Sequence, residues 1–491
     1  MRNIELRTRL PRRTHGRLRQ TAPMADAFHM SPDEFRRRGR EVVDWVADYM
    51  ERVGELPIRS TVEPGDIEKQ LPVVAPDAPE SFDALLADLD DVVLPGITHW
   101  QSPGWFAYFP ANVSGPSILA ELASAGIGAQ GMLWATSPAL TEVESRVLDW
   151  LVELLGLPDS WKTSVGPGGG VIQMSASDST HLMHVVAREG AIAPGVGTDQ
   201  LVAYASSQAH SSVERGARVA GFRHVRLVDV DSDYAMRADA LARAIADDRA
   251  AGLTPAIVTS TIGTTGTGAV DPVARIADIA GAEGTWHHVD AAWAGSAMCL
   301  PESRHLQAGV EHVDSYTFNP HKWMFTNFDC NVLWAADREP LISTLSIAPP
   351  YLRNEASESG AVIDYRDWHV PLGRRFRALK LWWVLRHYGV SGIRHHIAEH
   401  IRLAADFAQR VDDEPALERV APVHLALVCF AHREGNEATN ALAAVINADP
   451  SVYVTPSHVG DQRYIRVAIG QTHTSARDVD RLWDVIVSGL R

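Results

Sequence analysis

The sequence predicts an α/β protein: a mainly parallel central sheet flanked by helices, with a helical arm before it and a small α+β unit after it. Three observations carry that expectation. Apolar runs at 201–206, 256–260, 287–290 and 316–319 read as buried strands, and helix-length segments separate them, as in βαβ units. Beyond the amphipathic stretch 376–414, strands near 424–431, 451–455 and 463–468 alternate with helices near 436–447 and 475–489. Before about residue 115 there is one amphipathic helix, then Pro-, Gly- and Asp-punctuated sequence with no core of its own.

Residues 1–29 read as a disordered basic tail or as sequence upstream of a true start at Met24 or Met30. Within residues 1–20, Arg2, Arg7, Arg9, Arg12, Arg13, Arg17 and Arg19 face one acid, Glu5, and no apolar stretch makes a secretory signal. The arm is expected over 30–114. Ser31-Pro32-Asp33-Glu34 is a helix start, with an N-cap serine and proline at the first position, and Val42, Val46, Tyr49 and Val53 form one stripe. A large domain is expected over 115–379. In it Ser137-Pro138 opens a helix that ends at Gly156, the glycines 166–170 form a turn, and Ser177 begins a helix with Leu182, Val185 and Val186 inward. The small C-terminal domain takes 380–491.

Composition excludes several classes of function. The net charge of −16 disfavours nucleic acid and anionic membrane surfaces as partners. Cys299, Cys330 and Cys429 are too sparse for a disulfide framework or a zinc site, which suits a cytoplasmic protein and calls for no metal. The densest apolar run, 425–431, has the length of a strand rather than of a membrane span.

Chemistry enters through lysine. Of 45 basic residues only Lys69, Lys162, Lys322 and Lys380 are lysines. Arginine is always protonated and cannot form an imine, so a lysine kept in such a chain draws notice. Lys322 follows a buried strand in Asn319-Pro320-His321-Lys322-Trp323, whereas Lys380 lies among arginines on a helix and reads as surface charge. Asp290 ends the run 287–290, at the strand edge where open α/β sheets bind ligands. It fits the acid that keeps a pyridinium nitrogen protonated beside an imine lysine. Ser175, Ala176 and Ser177 at a helix start offer N–H groups and hydroxyls to a phosphate. His396 and His400 have the spacing of zinc ligands but lack the H-E-x-x-H order, so His395, His396, Glu399 and His400 read as a solvated face.

From Met30 to the C-terminus the chain resembles the group II pyridoxal-phosphate decarboxylases, and among them the aromatic-L-amino-acid decarboxylases. The stretches that carry the resemblance are EFRRRGREVVDWVADYM, WFAYFPA, ATSPALTEVE, GGGVIQMSAS, AYASSQAHSSVER, TIGTTGTG, HVDAAWAGSA, FNPHKW, NFDC, DYRDW and PLGRRFRALKLW. It implies the aminotransferase-like type I fold, pyridoxal 5'-phosphate as cofactor, and a homodimer with the active site at the subunit interface and the arm wrapped over the partner. It further implies that Lys322 is the Schiff-base lysine, that Asp290 pairs with the ring nitrogen and that His210 stacks on the ring. Ala176, Ser177 and Asn319 would hold the phosphate, with Ser175, Thr265 and His321 lining the cofactor. Tyr351 falls in the family's catalytic loop, and with His210 it would protonate the α-carbon once CO₂ has left.

Two positions discriminate among neighbours. Related aldehyde synthases replace the loop tyrosine or the stacking histidine; this chain keeps Tyr351 and His210, so amine release is expected. Gly373 removes a side chain from the pocket and admits an indole as well as a phenol, which disfavours histidine decarboxylation. A transaminase would not match around Tyr351, and a dead homologue would not keep every chemical residue. Trp105, Tyr108, Phe109 and Pro110 read as the wall against the substrate ring, with Ala111 where a threonine is usual. Gln130 and Met132 stand where relatives supply residues from the partner, and Trp293 replaces a common tyrosine. The expected substrate is tryptophan or a broad aromatic range.

Overall fold

In the computed structural model, residues 29–192, 195–347 and 362–491 are described; the basic tail and Tyr351 with its loop lie outside them. Seven strands make the main sheet: β1 (Gly169–Gln173), β2 (Leu201–Ser206), β3 (His224–Val228), β4 (Thr254–Thr261), β5 (Trp286–Asp290), β6 (Ser315–Phe318) and β7 (Asn331–Ala335). Their order is β1-β7-β6-β5-β4-β2-β3. From β3 to β6 every neighbouring pair is parallel, while β7 runs antiparallel to both β6 and β1. The side-chain alternation of β2 shows why both faces are covered. Leu201 and Ala203 pack with Leu182 and Val186 of the helix Ala176–Ala191, whereas Val202 and Tyr204 pack with Leu241, Ile245 and Ile276 of Ala238–Ala250 and Val273–Glu283.

The four apolar runs fall in β2, β4, β5 and β6. Three strands of this sheet are not expected from the sequence. β1 begins inside the predicted glycine turn, because Gly169 and Gly170 make room for indoles: a Cβ at either would stand 2.6 Å from Trp368 or Trp334. β3 is a half-exposed edge carrying His224 and Arg226, so it shows no apolar run. β7 is wholly buried but follows directly on the Lys322 segment.

Four further expectations are corrected. The helix placed at Ser177 begins at Ala176, because Ser175 takes the N-cap and its Oγ accepts the Asp178 N–H at 3.2 Å. The strand near 451–455 begins at Thr455; before it, Tyr453 exchanges main-chain hydrogen bonds with Gly104 and Phe106 instead of joining a sheet. Lys380 is 1% exposed and its Nζ lies 2.8 Å from Glu121 Oε2. His400, read as part of a solvated face, is 2% exposed. Both sit on the helix Arg377–Asp413, which bends at Gly389 (φ 62°) and packs against Gly115–Ile127, Pro138–Leu155 and the small C-terminal sheet. Helix position reads as surface only until several elements close round it.

The C-terminal sheet holds β8 (Leu417–Arg419), β9 (Leu427–His432), β10 (Thr455–Val459) and β11 (Gln462–Ala468), antiparallel throughout in the order β10-β11-β9-β8. Helices Asn436–Ala448 and Ala476–Gly489 accompany it. The N-terminal helix Pro32–Arg52 starts as expected, with Ser31 Oγ accepting the Glu34 N–H.

Candidate active site

The C-terminal ends of the parallel strands converge on one cavity. Asp290 ends β5, Asn319 follows β6, and the single turn Pro320–Trp323 carries His321 and Lys322. His210 caps the helix Ser211–Val219 that leaves β2, and Thr265 lies in the loop after β4. Ser175, Ala176, Ser177, His210, Thr265, Asp290, Asn319, His321 and Lys322, the residues expected round the cofactor, all line this cavity. That is where a doubly wound sheet gathers ligand-binding groups.

Each polar group is held by its neighbours. Asp290 is buried; its Oδ1 accepts the Ala292 N–H at 2.9 Å, and among the described residues no donor reaches Oδ2. In the sheet it stands between Thr261 and Thr317. His210 Nδ1 accepts the Ser212 N–H at 3.2 Å and lies 2.7 Å from Ser212 Oγ, so the ring proton belongs on Nε2. Burial lowers the His210 pKa, with the Asp290 charge opposing. His321 Nδ1 accepts the Cys330 N–H at 2.9 Å, and burial pulls its pKa down to about 3. Asn319 Oδ1 accepts from Ala176 N at 3.1 Å and from Asn331 Nδ2 at 2.8 Å, which locks the helix start to the Lys322 turn.

Lys322 is the one amine of the set. Burial lowers its pKa first of all; the Asp290 charge opposes that and the Arg466 charge adds to it. A lysine nucleophile needs its free-base form, and burial acts in that direction. These groups fit pyridoxal phosphate: an amine of lowered pKa for the aldehyde, a carboxylate oxygen lacking a donor for the ring nitrogen, and a helix start with hydroxyls for the phosphate.

The expected substrate wall is only partly here. Phe109 lines the cavity, with Lys322 Nζ 5.3 Å from its ring centre. Trp105 is buried between Trp100 and Tyr453, and Tyr108 is half exposed on Trp100 with φ 51°. Pro110 packs beside Gly470, and the Ala111 carbonyl accepts from Gln101 Nε2. Met132 and Gly373 contribute nothing to this lining. They belong to two loops laced together: Gly131 N to Arg374 O, Arg366 N to Met132 O, and Arg374 N to Gln130 Oε1.

Two contributors had no assigned role in the sequence reading. Arg466, in β11, is buried with its Cζ 5.2 Å from the Phe109 ring centre. Trp293 lines the cavity and stacks on Phe109 at 4.5 Å and 20°. An arginine within an apolar strand was the signal available for the first; the departure from tyrosine marked the second.

Residues 64–433 match the pyridoxal-dependent decarboxylase conserved domain. The chain is 42% identical to the aromatic-L-amino-acid decarboxylase of Cavia porcellus, over 93% of its own length and 97% of the relative's. It is equally 42% identical to the phenylacetaldehyde synthase of Arabidopsis thaliana, over 93% and 96%. The solved structure of Oryza sativa TDC with PLP and tryptamine superposes with a TM-score of 0.92 at 37% identity, covering 94% of this chain and 98% of that one. No helix among the described residues is long and apolar enough to cross a membrane. The chain belongs to the pyridoxal-dependent decarboxylase family: it is an enzyme that uses pyridoxal phosphate to remove CO₂ from an amino acid.

Proposed function

We propose that the substrate is an aromatic L-amino acid, tryptophan or a broad aromatic range, and that the product is the arylalkylamine. The observation that carries the amine outcome is His210, kept at the cavity with its Nδ1 engaged and its Nε2 proton available. The names of the relatives support the aromatic class, and the tryptamine held by the Oryza sativa protein supports an indole ring.

In this reading Lys322 would hold the cofactor through its aldehyde and Asp290 would serve the ring nitrogen. Ala176, Ser177 and Asn319 would hold the phosphate, with Ser175, Thr265 and His321 beside them. Pyridoxal phosphate bound there supplies the electron sink that loss of a carboxylate requires. Burial favours the neutral form of His210, and with the Tyr351 hydroxyl this histidine would return a proton to the α-carbon. Phe109 would pack on the substrate ring, with Trp105, Tyr108, Pro110 and Ala111 behind it, and Gly373, outside this cavity and beside the 130–132 loop, would leave width for an indole in the second copy's cavity.

We also infer a cytoplasmic homodimer. Phe35, Val42 and Val43 on the N-terminal helix, and Leu119, Leu122 and Ile127 on Gly115–Ile127, are exposed apolar residues in need of cover. The arm 30–114 would lie on the second copy, and Met132 with Gln130 would reach that copy's cavity. Sedimentation at a monomer's mass would overturn this.

The Arabidopsis relative, at the same identity as the mammalian one, gives the aldehyde synthase reading its footing. The two are separated by products. Amine equal to CO₂ without hydrogen peroxide supports the decarboxylase, and Tyr351→Phe should then divert turnover to aldehyde and peroxide. Peroxide matching CO₂ in the unaltered enzyme would overturn the proposal.

A further inference from the structure

His400 lies on the helix Arg377–Asp413, in the histidine-rich stretch that the chemistry above leaves unused. It is buried, and its Nδ1 accepts the indole N–H of Trp323 at 3.0 Å. Trp323 is the residue after Lys322 and is fully buried. Its ring stacks on Trp293 at 5.1 Å and 15°, and Trp293 stacks on Phe109 at 4.5 Å and 20°. The Lys322 amine then stands 5.3 Å from the centre of the Phe109 ring. A closed circuit results: Lys322, its chain neighbour Trp323, Trp293, Phe109, and back to the Lys322 amine. Gly470 leaves the room for it, since a Cβ there would come within 3.0 Å of both Trp323 Nε1 and Pro110 Cγ.

Offset stacking sets the ring planes and their spacing. A directional bond adds the orientation within the plane. Trp323 has a single polar atom on its side chain, and His400 is its acceptor. Burial holds the His400 pKa down to about 4, so Nδ1 stays free to accept at neutral pH. Without that acceptor the buried indole N–H is left unpaired, and a rotation that finds another partner undoes the stack.

We propose that His400 is a positioning residue for Lys322: by accepting the Trp323 indole N–H it fixes the Trp323–Trp293–Phe109 stack against which the Lys322 amine lies. The inference rests on Lys322 being the cofactor lysine, and Lys322→Ala, which must abolish the visible cofactor band, tests that part alone.

The experiment compares holoenzymes. In His400→Leu, cofactor release on dilution should accelerate roughly ten-fold, and the pH midpoint of the visible band should move. His400→Gln, which keeps an acceptor, should restore both towards the unaltered values. Trp323→Phe removes the donor while keeping a ring, so it should match His400→Leu even where the latter folds poorly, and the double variant should be no worse than either single one. Leu403→Ala, a buried change on the same helix, should lower Tm and leave release and midpoint alone. Unaltered release and midpoint in both His400→Leu and Trp323→Phe would overturn the proposal. So would Leu403→Ala reproducing the same shifts at equal loss of Tm.

Discussion

The guanidinium of Arg466 lies against the ring of Phe109, Cζ 5.2 Å from its centre, with the Lys322 amine 5.3 Å from the same centre. Arg466 donates to the carbonyls of Gly266 and Tyr108 and has no carboxylate partner among the described residues. Its charge therefore acts on Lys322, where it favours loss of the proton. Arg466→Met should raise the pH at which Lys322 deprotonates. The measurement is the pH dependence of cofactor uptake by cofactor-free protein, which should shift to higher pH; an unmoved profile would contradict this.

Asp290→Asn should keep the fold and the cavity, because the amide oxygen can still accept the Ala292 N–H. It removes the negative charge offered to the ring nitrogen. CO₂ release should fall roughly 100-fold or more, within the range that positioned acid–base groups contribute, while the visible band persists. A loss of less than two-fold would remove Asp290 from its proposed role.

Glu144 and Arg374 form a buried ion pair at 2.6 Å, and Arg374 also donates to the Ile172 carbonyl. The pair ties the helix Pro138–Leu155 and β1 to the segment beside Gly373. Glu144→Gln strands a buried guanidinium and should destabilise the protein by about 3 kcal/mol. Chemical denaturation tests it; a midpoint equal to that of the unaltered enzyme would show the pair to be dispensable.

His184, His287 and His288 are buried beneath the site, and burial lowers their pKa values to about 4, 3 and 3. All three stay neutral in the folded state, whereas the unfolded chain takes up protons below about 6.5. Their contribution to stability is therefore full above that pH and is lost as pH falls from about 6.5, towards 4 for His184 and towards 3 for His287 and His288. Asp271, pushed up to about 7 by burial, opposes this with one proton over about pH 4 to 7. The melting temperature should fall between pH 7 and pH 5, and His184→Gln should reduce that fall. An equally steep fall in the variant would exclude His184 as a contributor.

What the sequence revealed divides along physical lines. That Asp290 and Lys322 meet at one cavity was legible because their signals are local: a carboxylate at a strand end, and a lysine after a buried strand in a chain that otherwise uses arginine. β2 was legible because a strand buried on both faces is apolar throughout. Lys380 and His400 were misread because burial on a helix depends on which distant elements close round it, and nothing within 377–413 encodes that. Gly169 and Gly170 read as a turn because their function is to make space for Trp368 and Trp334, which lie far along the chain. The placing of Phe109 against Lys322 and Arg466 joins three distant stretches, and spacing alone could not foretell it.

Removal of CO₂ from an aromatic amino acid with return of a proton to carbon is tested by one assay. The holoenzyme is supplied side by side with tryptophan, 5-hydroxytryptophan, dopa, tyrosine, phenylalanine and histidine, and CO₂, amine and hydrogen peroxide are measured for each. Tryptamine is expected in one-to-one ratio with CO₂, or the same ratio across several aromatic substrates, without peroxide. Turnover confined to histidine, or aldehyde and peroxide in place of amine, would contradict it.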